Sequence, residues 1–159
     1  AVGILLPALS CLGIICWWNE QPELLLLILI LLGSIFGFWL FNKPPASIYM
    51  GDSGSLFLGY IVALLSMWAT ESSRNIQSML PVLILAVPMI DTGLAFFRRS
   101  LKGIPFYSAD HDHLHHRLLA RGYGHGKAVV ILVGFSILFC MMALIARYDS
   151  NLQGFSFRP

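Results

Sequence analysis

The chain has 159 residues, 57% of them hydrophobic and only 11% charged, and its formal net charge is +2. Each helix of a soluble bundle needs a polar face toward water. The run Leu24–Leu32 has no polar residue, so the sequence excludes a soluble helical bundle. The small net charge calls for no nucleic-acid partner, since basic loops beside a membrane and anionic lipid headgroups account for it. The sequence therefore predicts an all-α integral membrane protein.

Apolar runs of about 17 to 20 residues recur along the chain, and each is long enough to cross roughly 30 Å of hydrocarbon as a helix. We predict about five transmembrane helices in one partial transmembrane domain, residues 1–159, of a larger polytopic helical fold. Because the sequence starts inside a hydrophobic run without an initiator Met or signal-peptide features, we expect it to be a piece of a longer protein. In chain order the predicted spans cover about 2–18, 23–41, 55–70, 79–97 and 128–146.

The distribution of basic residues predicts how the chain crosses the membrane. Six Lys and Arg residues lie within residues 98–127, whereas the linkers 19–22 and 71–78 carry only Arg74 between them. By the positive-inside rule the long basic loop is cytoplasmic, and counting spans back from it puts the loop of about residues 42–54 on the same side. The two polar loops therefore share one face of the bilayer.

The first candidate site is the segment Met50-Gly51-Asp52-Ser53-Gly54-Ser55, which leads into the third span. Its glycines permit a tight bend or a close approach to a ligand, and the start of the next helix offers free N–H groups to a phosphate. Asp52 is the kind of ligand that Mg²⁺ prefers when it bridges a carboxylate to substrate phosphates. The alternative is an ordinary N-cap, in which Asp52 or Ser53 only satisfies the first N–H groups of the helix.

The second candidate is Asp91, which follows Pro88 inside the cytoplasmic end of the fourth span. A charged Asp at mid-bilayer depth costs roughly 2.5 to 3.5 kcal/mol on insertion scales, so such residues usually face a polar cavity or a partner. Pro88 would loosen the helix just before it. The alternative is that Asp91 pairs with Arg98 or Arg99, or reaches the lipid headgroups, without a role in a site.

The third candidate is the segment Asp110-His111-Asp112-His113-Leu114-His115-His116-Arg117, which concentrates titratable side chains in a chain that has few of them. Neutral imidazoles donate hydrogen bonds to phosphate oxygens and protonated ones add positive charge, which suits a pyrophosphate at a membrane surface. A zinc site fits less well, because no cysteine is within sequence reach and the His-Glu-x-x-His spacing is missing. An incidental cluster of loop histidines is the remaining alternative.

The order and spacing of these segments carry a family resemblance. Residues 50–59, then 87–92, then Arg98-Arg99, then 110–118 resemble the polyprenyl-phosphate N-acetylhexosamine-1-phosphate transferases, glycosyltransferase family 4. The form His113-Leu114-His115-His116-Arg117-Leu118 is similar to the bacterial undecaprenyl-phosphate N-acetylglucosamine-1-phosphate transferase branch. It is less similar to the branch that transfers phospho-MurNAc-pentapeptide, where three histidines are consecutive. The match runs from about residue 40 to about residue 130.

The resemblance implies an enzyme that depends on Mg²⁺, with Mn²⁺ as an alternative ion. It would transfer N-acetylhexosamine 1-phosphate from a UDP-sugar to undecaprenyl phosphate, forming a lipid-linked sugar pyrophosphate and UMP. This is the first membrane step of cell-surface polysaccharide synthesis, for O-antigen, common antigen or teichoic acid. The family implies a multi-pass protein of the bacterial inner membrane with its active site on the cytoplasmic face.

The same resemblance assigns roles to residues of this chain. Asp52 would be the metal ligand and a catalytic residue, together with His113, His115 and His116. Substrate binding would involve Gly51, Ser53, Asp91 and Arg117. The physical logic agrees, because two anionic phosphates have to be brought together and the charge of the reacting oxygens has to be neutralised.

The resemblance is incomplete at both ends of the chain. The Asp-Asp-x-x-Asp and Asn-rich Asp-Gly elements of the family's N-terminal half do not occur, and residues 148–159 are too short and polar for the family's last span. We therefore expect this piece alone to be inactive. The phospho-MurNAc-pentapeptide step of peptidoglycan synthesis, a polytopic transporter and a non-catalytic membrane scaffold remain as alternatives. A transporter would place its ionisable residues near the midplane rather than at one face.

Overall fold

A computed structural model of the chain describes residues 2–43, 45–70, 79–102 and 124–156. All regular secondary structure in these ranges is helical, so the prediction of an all-α protein is confirmed. The helices, in chain order, are α1 Val2–Trp18, α2 Pro22–Asn42, α3 Gly51–Thr70, α4 Leu80–Ile84, α5 Ala86–Lys102 and α6 His125–Ser156.

Three stretches of the described chain are long and apolar enough to cross a membrane: α2, α3 and the part Gly126–Tyr148 of α6. The apolar helix α1, with 17 residues, is shorter. Most residues of the three long spans are not buried inside the protein, as expected for helices whose surface faces lipid. The chain is therefore an all-α membrane protein, and the count of about five spans stays a prediction.

The region of the predicted fourth span, about 79–97, is divided into α4 and α5 at Leu85. Proline cannot donate a backbone hydrogen bond, so Pro88 offers no N–H to the Ile84 carbonyl four residues earlier. The Leu85 carbonyl accepts a hydrogen bond from the Met89 N–H at 3.1 Å, so α5 resumes the helical pattern at once. The interruption therefore lies in an apolar part of the chain and has a local cause.

Helix α1 lies at the centre of the bundle. Eight of its residues are buried, and it packs against α2, α3 and α6. Leu9, Leu12 and Ile15 are fully buried, whereas α2 buries only Ile28 and Ile35 and lies at the edge. Because lipid tails are as apolar as these side chains, close packing rather than escape from water holds such helices together in a bilayer.

Side-chain hydrogen bonds show that α1, α3 and α6 run parallel. Near one end of α1, the Ser136 hydroxyl of α6 donates to the Ile4 carbonyl at 3.1 Å. Just past the other end, the Arg147 guanidinium donates to the side-chain oxygen of Asn19. The Asn19 side-chain amide donates in turn to the Ala69 carbonyl at 2.8 Å, so α3 ends at the same level. The start of α3 therefore lies at the opposite end of the bundle from Asn19.

Several helices extend beyond the predicted spans. Helix α3 begins at Gly51 rather than near residue 55, α5 continues to Lys102, and α6 covers His125–Ser156 rather than about 128–146. Hydropathy marks only the part of a helix that is immersed in hydrocarbon, while backbone hydrogen bonding continues into the polar residues beside it. The Gly51 segment is therefore the first turn of a helix and not a loop that leads to one.

Candidate functional site

The chain enters α3 through a turn that only glycine adopts easily. Gly51 has a φ of +67°, in the left-handed region that costs other residues free energy. The Met50 side chain folds back over Gly54, where an added Cβ would lie 2.6 Å from the Met50 Cγ. One glycine therefore serves the bend and the other the close packing of Met50.

Asp52 and Ser53 lie in the first turn of α3 with exposed side chains. The free N–H groups and the dipole make this end of a helix electropositive, which stabilises a carboxylate and attracts phosphate. An N-cap precedes the first helical residue, whereas Asp52 is the second residue of α3 and lies inside the helix. The Asp52 carboxylate is therefore presented to the surroundings from a rigid element.

Asp91 lies in the first half of α5 and is half-buried. It takes part in an interaction within the chain and is not a free carboxylate. The hydroxyl of its neighbour Thr92 donates to the Pro88 carbonyl at 2.9 Å. Contact of Asp91 with a substrate stays a prediction.

An apolar cavity of about 690 Å³ lies between α1, α3 and the two halves of the divided helix. Among the described residues that line it, the polar side chains are Ser55 and Thr92, whose hydroxyls donate to the Asp52 and Pro88 carbonyls of their own helices, each at 2.9 Å. The described lining is therefore almost entirely apolar, and the cavity suits a hydrocarbon chain better than a sugar or a charge. The lining consists of Ile4, Leu5, Ser55, Gly59, Ala63, Leu85, Pro88, Met89, Thr92, Gly93 and Phe96.

The cavity begins one helical turn from Asp52. Ser55 is three residues further along α3, which is about 5 Å of helix rise, and the lining continues to Ala63, about 12 Å deeper. Met89 and Phe96 in the wall are themselves more than half exposed, so the cavity is open toward the outside of the bundle. An exposed carboxylate and an apolar cavity are thus combined at one end of α3.

The predicted site residues of the histidine segment, His113, His115, His116 and Arg117, lie outside the described residues. The described helices on either side of the segment, α5 and α6, meet the bundle near the start of α3. Phe96 of α5 lines the cavity with Ser55, and a Cβ at Gly3 would lie 3.1 Å from Val133 of α6. In the described ranges, no three His, Cys, Asp or Glu side chains come together to hold a metal ion.

The sequence analysis missed the cavity, although α3 carries a signal for it. Ser55, Gly59 and Ala63 follow one another at intervals of four residues, which puts three small side chains on one face of the helix. Such a face leaves room against a neighbouring helix, but a small-residue face also allows two helices to pack closely. The pattern alone does not decide between the two.

The fold and the site define a polytopic helical membrane protein with a carboxylate beside an apolar cavity. Residues 1–70 match the model of the family described as Glycosyl transferase family 4. The chain is 35% identical over 148 residues to the "Probable undecaprenyl-phosphate N-acetylglucosaminyl 1-phosphate transferase" of Bacillus subtilis (strain 168), covering 92% of this chain and 41% of the relative.

Two further relatives carry similar names. The chain is 26% identical over 155 residues to "Undecaprenyl-phosphate alpha-N-acetylglucosaminyl 1-phosphate transferase" of Escherichia coli (strain K12). That alignment covers 91% of this chain and 42% of the relative. The chain is 36% identical over 115 residues to "Decaprenyl-phosphate N-acetylglucosaminephosphotransferase" of Mycobacterium tuberculosis (strain ATCC 25618 / H37Rv). That alignment covers 65% of this chain and 28% of the relative. The chain spans about two fifths of the length of the first two relatives.

The chain belongs to glycosyl transferase family 4, in the branch of the bacterial polyprenyl-phosphate N-acetylglucosamine 1-phosphate transferases. The resemblance of its motifs to this family is thereby confirmed.

Proposed function

We propose that the full-length protein carrying this chain transfers N-acetylglucosamine 1-phosphate, or a related N-acetylhexosamine 1-phosphate, from a UDP-sugar to undecaprenyl phosphate. The products are a lipid-linked sugar pyrophosphate and UMP. The names of the relatives support the acceptor and the transferred group. The observation in this chain that carries the proposal is the apolar cavity that begins one turn from Asp52.

An undecaprenyl phosphate molecule combines a long hydrocarbon chain with an anionic head. The cavity offers the hydrocarbon a surface whose two hydroxyls are already engaged by their own helices. The electropositive first turn of α3 offers the phosphate N–H groups beside Gly51 and Ser53. The acceptor would then lie along α3 with its phosphate at the level of Asp52.

Asp52 is the residue that we propose to hold Mg²⁺, with Mn²⁺ as an alternative ion. Mg²⁺ commonly binds one or two carboxylates and completes its coordination with water and substrate phosphates, so one exposed carboxylate fits such an open site. When bound, the ion would neutralise charge on the phosphate oxygens during the transfer. The chain's own part is to hold the carboxylate on a rigid helix beside the acceptor.

The donor would be held by the histidine segment. We propose that His113, His115 and His116 contact the phosphates of the UDP-sugar, with Arg117 and Asp91 as further substrate-binding residues. The helices that flank the segment, α5 and α6, lie against the end of the bundle where α3 begins, which supports a common site with Asp52.

The proposed setting is the bacterial inner membrane, with the site on the cytoplasmic face. Six basic residues within 98–127 support that orientation by the positive-inside rule. The proposed pathway role is the first membrane step of a cell-surface polysaccharide such as O-antigen, common antigen or teichoic acid.

The proposal is tested with the purified full-length protein in detergent, UDP-N-acetylglucosamine, undecaprenyl phosphate and Mg²⁺. We expect UMP release in step with a lipid-linked sugar pyrophosphate, and loss of both without the lipid. Asp52→Asn should lower turnover on the order of 100-fold or more, since a neutral amide is a poor Mg²⁺ ligand. Glu23→Gln is the matched control, because Glu23 is an exposed carboxylate in the first turn of α2, at the opposite end of the bundle.

Three results would contradict the proposal. Turnover of Asp52→Asn at the wild-type rate would remove Asp52 from the mechanism. Uptake of a sugar nucleotide into vesicles without UMP release would indicate a transporter. Failure to bind or consume any UDP-N-acetylhexosamine, with the protein folded, would indicate a scaffold.

A further inference from the structure

Helices α1, α3 and α6 reach the same level at the end of the bundle away from Asp52. Asn19, one residue past α1, donates its side-chain amide to the Ala69 carbonyl at 2.8 Å and accepts a hydrogen bond from Arg147. Asn19, Ala69 and Arg147 are all half-buried or buried. These three residues form a polar junction that fixes the relative height of three helices.

An exposed aromatic side chain adjoins each residue of this polar junction. Trp18 precedes Asn19, Trp68 precedes Ala69 and Tyr148 follows Arg147. Their exposed fractions are 43% for Trp18, 59% for Trp68 and 56% for Tyr148, and that of Trp17 is 72%. Because the junction sets the three helix ends level, these four aromatic residues lie at one height around the bundle.

Their amphipathic chemistry identifies the partner. Trp and Tyr carry a large apolar ring and one polar N–H or O–H group, and they favour the boundary between lipid headgroups and acyl chains. The candidate spans support this position, since α3 ends at Thr70 and the apolar part of α6 ends at Tyr148. We propose that Trp17, Trp18, Trp68 and Tyr148 form an aromatic belt that binds the headgroup boundary of the phospholipid leaflet opposite Asp52.

The belt also determines the depth of the candidate site. Asp52 and Trp68 are sixteen residues apart on one helix, which is about 24 Å along its axis. With Trp68 at one boundary of a hydrocarbon layer roughly 30 Å thick, Asp52 lies about 6 Å inside the other boundary. That depth is close to the headgroup region and far from the bilayer midplane.

The experiment measures the depth of Trp68 and needs no substrate, so it is independent of the proposed enzymatic activity. In the full-length protein, all tryptophans except Trp68 are replaced by Phe, and the protein is reconstituted in phosphatidylcholine vesicles. The lipids carry bromine either on acyl carbons near the glycerol or on carbons near the chain ends. We expect the shallow bromines to quench Trp68 fluorescence more strongly than the deep ones.

The matched control places the only tryptophan deeper on the same helix. In it, Tyr60→Trp is introduced at a position that is 63% exposed and about 12 Å from Trp68 along α3. The deep bromines should quench this residue more strongly. The proposal would be overturned if the two kinds of brominated lipid placed Trp68 as deep as the control tryptophan or deeper. It would also be overturned if aqueous iodide quenched Trp68 and neither brominated lipid did.

A second measurement covers the case in which removal of the tryptophans prevents folding. In the otherwise unchanged protein, Trp68→Cys is labelled with a nitroxide, since Cys11, Cys16 and Cys140 are buried. The label should collide with oxygen and with a water-soluble nickel chelate to a similar extent, as at the headgroup boundary. Collision with oxygen alone would place residue 68 in the hydrocarbon, and collision with the chelate alone would place it in water; either result contradicts the belt.

Discussion

The Met50 side chain packs over Gly54, so that a Cβ added at residue 54 would lie 2.6 Å from the Met50 Cγ. This distance is shorter than a carbon–carbon contact allows, and the side chain of Met50 would have to move. The contact ties the residue before α3 to the first turn of that helix, next to Asp52.

Gly54→Ala is therefore expected to destabilise the protein by about 1 to 3 kcal/mol, the usual cost of overpacking. Thermal unfolding in detergent measures the change. The double variant with Met50→Ala should recover most of the loss, because the clashing side chain is then gone. If Gly54→Ala lowered stability equally with Met50 and with Met50→Ala, the contact with Met50 would not be the reason for glycine at residue 54.

Gly51 provides a second test of the same turn. Its φ of +67° should make Gly51→Ala cost about 1 to 2 kcal/mol, while Gly51→Asn should cost less because Asn tolerates the left-handed region better. Denaturant unfolding of the two variants checks the order. Gly33→Ala is the control, since a Cβ at Gly33 meets nothing within 4 Å and its φ is not positive. An equal cost for the Ala and Asn variants would contradict the role of the turn.

The cavity is tested by filling it from α3. Gly59→Leu should raise the KM for undecaprenyl phosphate about tenfold, because it displaces hydrocarbon worth roughly two methylene groups. The KM for the UDP-sugar should stay unchanged, as should the KM for a prenyl phosphate too short to reach Gly59. Gly33→Leu, on α2 and outside the cavity, is the control. A rise in the UDP-sugar KM instead would assign the cavity to the donor.

His115→Ala tests the histidine segment. We expect turnover to fall about 100-fold, or the KM for the UDP-sugar to rise, because one donor to the phosphates is lost. Helical content, followed by circular dichroism, should not change. His125→Ala, at the first residue of α6, serves as the control. Unchanged kinetics for single alanine substitutions at His113, His115 and His116 would exclude the segment from donor binding.

Asn19→Ala tests the polar junction. The loss of two hydrogen bonds in a partly buried position should lower the free energy of unfolding by about 1 to 3 kcal/mol. Asn42→Ala removes a bond of the same kind, from the Asn42 amide to the Ile48 carbonyl, at an exposed position and should cost less. The unfolding midpoints of the two variants measure this difference. An equal loss of stability would show that the polar junction contributes no more than a surface contact.

The sequence predicted the helical class because that class depends on local features, whereas the roles of the candidate residues stay predictions. An apolar run such as Leu24–Leu32 has no polar side to present to water, whatever its neighbours are. The glycines beside Asp52 permit a tight bend or a close approach to a ligand, and Gly51 adopts a positive φ. The third membrane span was predicted from about residue 55, whereas α3 begins at Gly51, because hydropathy does not report the polar first turn of a helix.

By itself, the amino-acid sequence determined that this protein is a bundle of membrane helices with a carboxylate at the entrance of one of them. Only the tertiary structure decided that Ser55 and Thr92 border one apolar cavity, and that Asn19 joins Ala69 to Arg147 across three helices. The physical reason is that composition and hydrophobic periodicity act within one helix, whereas cavities and junctions depend on how helices that are far apart in sequence pack together. In both cases residues more than 30 positions apart in sequence lie side by side, and no local sequence pattern specifies that.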